Sequence, residues 1–235
     1  SENFAEVAVD SSDSRDFGKA RKTLELMNNG IPFITQGVLW NPNNRTFGMP
    51  DILVRSDWLN EITEDKSIDK LGERVPAPLL NSNYHYRVID VKFTTLKFNA
   101  SNTQLQNGKL SQKMYKAQLA IYNKALGRLQ GYEPPIAYLL GRKCSYTSKG
   151  EKHESEHSLV RLAQIDLAGI DNEFYQEANN AADWYRRVIR EGNDWDVFPE
   201  PTIPELWPNC TNDQNYPWEN AVSEIATKVK ELTKI

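Results

Sequence analysis

Two carboxylates and one amine stand where strand-like segments end. Asp51 follows Pro50, and Asp90 and Lys92 close the run Tyr84-His-Tyr-Arg-Val-Ile-Asp-Val-Lys92. Side chains alternate faces along a strand, so Asp90 and Lys92 point the same way. A carboxylate and an ammonium in so apolar a strand are expensive to bury for packing alone. The plain alternative is a strand end whose polar side chains reach water. Two carboxylates at neighbouring strand ends can hold a hard divalent cation through oxygen ligands. Such a cation polarises a phosphodiester and lowers the pKa of a bound water. Lys92 beside the pair can orient or help deprotonate that water and offset charge in the transition state. The carboxylates would in turn hold the lysine protonated until substrate arrives.

The charge distribution names the substrate class. The 235 residues carry a net charge of −4, which argues against a polyanionic partner at first sight. Residues 1–91 are net −4 and residues 150–235 net −9, but residues 92–149 hold ten basic side chains and one acidic, Glu133, for a net of +9. The basic block starts at Lys92. A local positive field binds phosphates even on an acidic protein; the alternative is a lysine-rich solvated helix face. Hydrophobic residues make up 39% of the chain and charged residues 26%, which fits a globular domain rather than a disordered chain. There is no run of 18 apolar residues for a membrane span and no signal peptide. Two cysteines, Cys144 and Cys210, are too few for a disulfide framework or a four-Cys cluster and fit a reducing, intracellular compartment, cytoplasmic or nuclear.

The elements that must position these residues read as an α/β pattern. Residues 15–29 form a helix, stopped by Asn28-Asn29-Gly30 and Pro32. Phe33–Trp40 and Phe47–Arg55 form a hairpin around the turn 41–45, and Pro50 marks an edge or bulge that re-aims Asp51. Residues 56–83, charged and carrying Pro76 and Pro78, read as a solvated insertion. The strand at 84–92 follows, rich in β-branched and aromatic residues. Leu110, Met114, Ala117, Ile121 and Ala125 recur at helical spacing over 110–127, and Gly127 can cap that helix. Gln118 and Tyr122 share one of its faces. Ile136–Leu140 is a short apolar strand of a sheet centre, Leu159–Leu167 its neighbour, and 172–191 a second long helix. Residues 195–219 form a coil rich in proline and tryptophan, and 219–233 a final amphipathic helix. The expectation is one domain over 1–235 with that insertion and a C-terminal extension, with a longer natural chain left open.

Pro50-Asp51 … Asp90-Val91-Lys92 resembles the signature of the PD-(D/E)XK nuclease superfamily. Gln118-Leu-Ala-Ile-Tyr122 is similar to the QxxxY helix of its RecB-like branch, and the strand ending Leu140-Gly141-Arg142 resembles the one that follows that helix there. The resemblance spans roughly 20–170. It implies a restriction-endonuclease-like core, a mixed central β-sheet flanked by helices. Asp51, Asp90 and the Val91 carbonyl would be ligands of magnesium or manganese, with Lys92 catalytic. Gln118 and Tyr122 would position the nucleic-acid strand and the lysine. Glu25, on the helix before the hairpin, is the candidate for an additional acidic ligand, or else an exposed helix glutamate. Lys113, Lys116 and Arg142 in the basic block are candidates to meet nucleic acid. No iron–sulfur cluster can be built. The implied activity is metal-dependent hydrolysis of DNA, as an exonuclease or in processing of single-stranded ends, in repair, recombination or mobile-element metabolism, with DNA and a fused or associated helicase as partners.

Two other readings compete. A nucleic-acid-binding module could keep the fold and the basic groove without cleaving, though Asp51, Asp90 and Lys92 together disfavour it. His153-Glu-Ser-Glu-His157 matches the H-E-x-x-H pattern of zinc proteases, which works only on a helix where imidazoles at i and i+4 converge. Here it runs into a strand, so a surface turn is the better reading. Trp195, Trp207 and Trp218 could stack bases but read better as anchors of the coil. Arg186, Arg187 and Arg190 read as a solvated helix face.

Overall fold

The computed structural model describes residues 2–99, 104–106, 110–196, 201–206, 220, 223, 224, 227 and 228. Its strands are β1 (Phe4–Glu6), β2 (Phe33–Thr35), β3 (Leu39–Asn41), β4 (Thr46–Gly48), β5 (Ile52–Arg55), β6 (Tyr86–Lys97), β7 (Ile136–Ser148), β8 (Glu151–Glu154) and β9 (Ala163–Asp166). Its helices are α1 (Phe17–Asn28), α2 (Lys70–Glu73), α3 (Leu110–Gln130) and α4 (Glu173–Glu191). The architecture is α/β. Seven strands form one mixed sheet in the order β1-β2-β5-β6-β7-β8, with β9 also on β7. β6 lies antiparallel to β5 and parallel to β7, which makes it the centre of the sheet.

Strand alternation divides the core. Tyr86 and Val88 of β6 face the side packed by α1 and α3, together with Leu26, Met27, Leu119 and Leu126. Ile89 faces the other side with Val54, Leu59, Tyr138 and Leu162. Each such side chain removed from water contributes about 1.5–3 kcal/mol. The second face corrects the reading of 56–83 as a solvated excursion. Leu59 is fully buried with Trp58, Ile62 and Ile68 packed on the same cluster, so 58–68 cover that face, while Ala77 and Leu80 are buried in the first cluster. His85 and Arg87 pin the segment: the Arg87 Nε–H donates to His85 Nε2 (2.7 Å), and His85 Nδ1 lies 2.9 Å from the Val75 carbonyl oxygen. Burial first, and then the Arg87 charge, push the His85 pKa down to about 4, so the ring is neutral.

α1 starts at Asp16, whose carboxylate accepts from the N–H groups of Gly18 and Lys19. It ends in a Schellman turn: Gly30, at φ 70°, donates to Met27 and Ile31 donates to Leu26. The single hairpin expected over 33–55 is two ladders in two sheets, β2 with β5 and β3 with β4. Gln36, at φ 51°, breaks one arm and Pro50 the other.

α3 runs three residues past Gly127, which lies inside the helix against Glu133; Gly131, at φ 75°, is the residue that ends it. Its buried face is also displaced from the apolar spacing. Met114 is 63% exposed, whereas Gln112, Lys116, Asn123 and Gln130 are buried beside Leu119 and Leu126. Each of the last three buried polar groups has partners. Lys116 pairs with Asp171, Asn123 donates to the Pro134 carbonyl and the Tyr175 hydroxyl, and Gln130 exchanges bonds with the Tyr86 backbone. Satisfied polar groups can lie in a core at little net cost.

The chain divides into two compact units, 1–182 and 183–235. In the second, Trp184 stacks on Trp195 at 5.4 Å, and Arg187 pairs with Glu191 and Glu205. Trp207, Trp218, Cys210 and most of the expected final helix lie outside the described residues. Among the described residues no helix is long and apolar enough to cross a membrane.

Candidate active site

The site forms where β5 begins and β6 leaves the core. The antiparallel register pairs Ile52 with Ile89, so the next step back places Asp51 opposite Asp90. Side chains facing each other across such a pair have Cβ atoms about 4.5–5.5 Å apart. Pro50 ends the preceding strand segment, and Asp51 is then held from two directions. The Val91 N–H donates to its Oδ2 (2.6 Å), and Gln36 Nε2 donates to its Oδ1 (3.0 Å). Gln36 also donates its backbone N–H to the Asp51 carbonyl, 3.0 Å away. A glutamine at positive φ is uncommon; here it lets side chain and backbone grip the same residue.

Asp90 is buried, 2% exposed. Burial first, with the Asp51 charge adding to it and Lys92 opposing, raises its pKa to about 6. Lys92 Nζ lies against Asp90 Oδ2 as an ion pair. That oxygen is buried, and the Lys92 ammonium is what offsets its charge. The ammonium also donates to Gln118 Oε1 (2.8 Å) and sits 4.9 Å from the centre of the Tyr115 ring. Gln118 Nε2 donates to the Tyr122 hydroxyl (2.7 Å). Burial raises the Tyr122 pKa, so it is a neutral phenol. A chain of contacts thus runs Asp51–Asp90–Lys92–Gln118–Tyr122, joining two strands to one helix face.

Gly48 completes the frame. A Cβ there would overlap the Tyr122 ring, so the β3–β4 hairpin can lie on α3 only with glycine at this position. Gln36, Gly48 and Tyr115 had not been singled out. Tyr115 is three residues before Gln118 on the same helix face and could have been found by that spacing. Nothing in the local sequence links Gln36 to Asp51, fifteen residues away.

Other expected members are elsewhere. Glu25 is on the exposed side of α1 beside Arg21 and Lys22. Among the described residues no three His, Cys, Asp or Glu side chains gather in a metal-holding group, so Glu25 does not complete the Asp51–Asp90 pair. Lys116 is buried, 1% exposed, in its ion pair with Asp171, and cannot meet a nucleic acid. Lys113 and Arg142 are exposed. Val91, whose carbonyl was the expected third ligand, brings its N–H to Asp51. His153 lies on β8, stacked on Tyr146 at 4.8 Å, and His157 caps a short 3-10 turn with Nε2 3.0 Å from Glu64. Neither lies on a helix, so the zinc-protease geometry is not formed.

The donor set fits a hard divalent cation. It offers two facing carboxylates beside one ammonium, and a soft metal would find no thiol or imidazole among these residues. Magnesium is commonly held by one or two carboxylates, the other positions being water or phosphate oxygen. No protein-family model matches the chain, and no curated protein matches it.

Proposed function

We propose that this chain is a divalent-metal-dependent deoxyribonuclease with a restriction-endonuclease-like core, similar to the RecB-like branch of the PD-(D/E)XK superfamily. One observation carries the reading: Asp51 stands opposite Asp90, and Lys92 bridges Asp90 to the Gln118–Tyr122 pair. Asp51 and Asp90 would hold magnesium or manganese, with the Val91 carbonyl the proposed third donor. A bound ion would supply positive charge to the phosphodiester and acidify its water.

The protein groups supply the rest. Lys92, positioned by Asp90 and Gln118, would orient the attacking water and offset charge on the phosphate oxygens. Gln118 and Tyr122 fix the lysine, since a side chain with four rotatable bonds loses its aim without such partners. The exposed cations Lys113 and Arg142 would contact the strand's phosphates. Repair, recombination or mobile-element DNA metabolism, with a fused or associated helicase, is the proposed setting.

A second reading, a binding module that does not cleave, is favoured by there being, among the described residues, no third acid grouped with Asp51 and Asp90. Incubation with labelled single- and double-stranded DNA separates the two. Cleavage in magnesium or manganese, abolished by EDTA, Asp90→Ala and Lys92→Ala, supports the nuclease. Binding without cleavage under all metals supports the module and removes the catalytic reading.

A further inference from the structure

The ladder between β6 and β7 is irregular immediately after Lys92. The register passes from Lys92↔Gly141 to Thr95↔Lys143, so β6 takes three steps where β7 takes two. Phe93 and Thr94 therefore share the single position opposite Arg142. Bulges of this kind bend a strand and re-aim its side chains. At this irregularity Phe93 is 89% exposed, on the face of β6 opposite the Asp90–Lys92 pair. A phenyl ring so placed forfeits the burial that apolar side chains ordinarily gain. Arg142 lies over the ring, its guanidinium carbon 5.5 Å from the centre. Among the described residues Arg142 pairs with no carboxylate. Val91, 43% exposed, extends the apolar surface along the same strand.

We infer that Phe93 is a stacking platform for an unpaired DNA base, with Arg142 bracing the ring and meeting the adjoining phosphate. The inference rests on the proposed nuclease reading for its ligand, DNA. Side chains alternate along β6, so Phe93 leaves the sheet on the face opposite Asp90 and Lys92, and the platform would hold a part of the strand that passes across that face rather than the nucleotide at the scissile bond. Charge selects the occupant. Phe93 and Arg142 both belong to the segment 92–149, which is net +9, and a strand of phosphates complements it where an acidic or purely apolar protein surface supplies no base to stack. Aromatic rings accept any base on their face, so the platform holds single strands without reading sequence.

The test is fluorescence anisotropy in EDTA with two labelled strands of equal length, oligothymidylate and its abasic counterpart. Base–aromatic stacking predicts that Phe93→Ala weakens oligothymidylate binding by about 5- to 150-fold. Phe93→Trp should restore it, and binding of the abasic strand should not change. Arg142→Ala should weaken both strands and reduce the salt dependence of binding. A Phe93→Ala variant that binds oligothymidylate within about twofold of the parent overturns the platform and leaves the ring to a protein partner. Equal losses on the abasic strand also overturn it, as does a parent protein that binds neither strand. Cleavage by the parent in magnesium is scored separately. Cleavage with no dependence of binding on Phe93 removes the platform alone; Phe93-dependent binding without cleavage removes the nuclease alone.

Discussion

Asp90→Asn should make the metal-free protein more stable at neutral pH. The Asp90 carboxyl is raised from 3.8 to about 6, burial being the largest cause and Asp51 an additional one. Two units at 1.36 kcal/mol each make ionisation of Asp90 cost the fold about 3 kcal/mol at pH 7. The sign follows from proton binding. Between pH 3.8 and 6 the folded state binds more protons than the unfolded, so this contribution is fully present below pH 3.8 and lost as pH rises through 6. Asparagine keeps the shape and removes the charge. The lost ion pair to Lys92 is already contained in that net shift, because Lys92 opposes the rise. The gain is about 3 kcal/mol, or a Tm rise of about 6–12 °C for a chain of this size. Denaturation in EDTA at pH 7 and pH 4.5 measures it. The gain should be largest at pH 7 and fall to about a third of that at pH 4.5, while Asp90→Asn has no nuclease activity at either pH. A variant destabilised at pH 7, or one whose difference from the parent is the same at both pH values, would refute the claim that the site holds a strained carboxylate.

His85 should act in the opposite direction. Its folded pKa, about 4 against an ordinary 6.5, confers stability that is present above pH 6.5 and lost as pH falls through 4, about 3 kcal/mol in full; His85→Gln should flatten that part of the stability profile in urea titrations between pH 7 and 4. Lys116→Ala should cost about 3–5 kcal/mol by leaving Asp171 buried and unpaired, and should not change the salt dependence of DNA binding; a shallower salt slope would return Lys116 to the surface. Gly48→Ala should displace Tyr122 and lower kcat by about tenfold or more while circular dichroism stays unchanged; full activity would remove Gly48 from the frame.

Much of the site was legible without coordinates because its signals are local. Asp90 and Lys92 share a face by strand alternation, and Gln118 and Tyr122 share one by helical spacing; neither depends on what packs nearby. The register that set Asp51 across from Asp90 was foreshadowed by Pro50, which cannot continue a ladder. The central strand and the presence of two long helices were likewise set by apolar runs, although α3 passes Gly127 and ends at Gly131.

What required tertiary structure was every case in which a distant partner changed the meaning of a residue. Lys116 reads as a surface cation until Asp171, 55 residues away, is brought against it. Gln130 and the Asn123 amide donors lie in the core because the Tyr86 backbone and the Pro134 carbonyl meet them, and so the buried face of α3 is displaced from the apolar spacing that favoured Met114. Residues 56–83 read as an excursion because their charges outnumber the few side chains, Leu59 and Ile68 among them, that close the second face of the sheet. The physical reason is common to all: periodicity records which groups avoid water, whereas a polar group with a partner has no need of water, and the chain alone does not say which groups will find one.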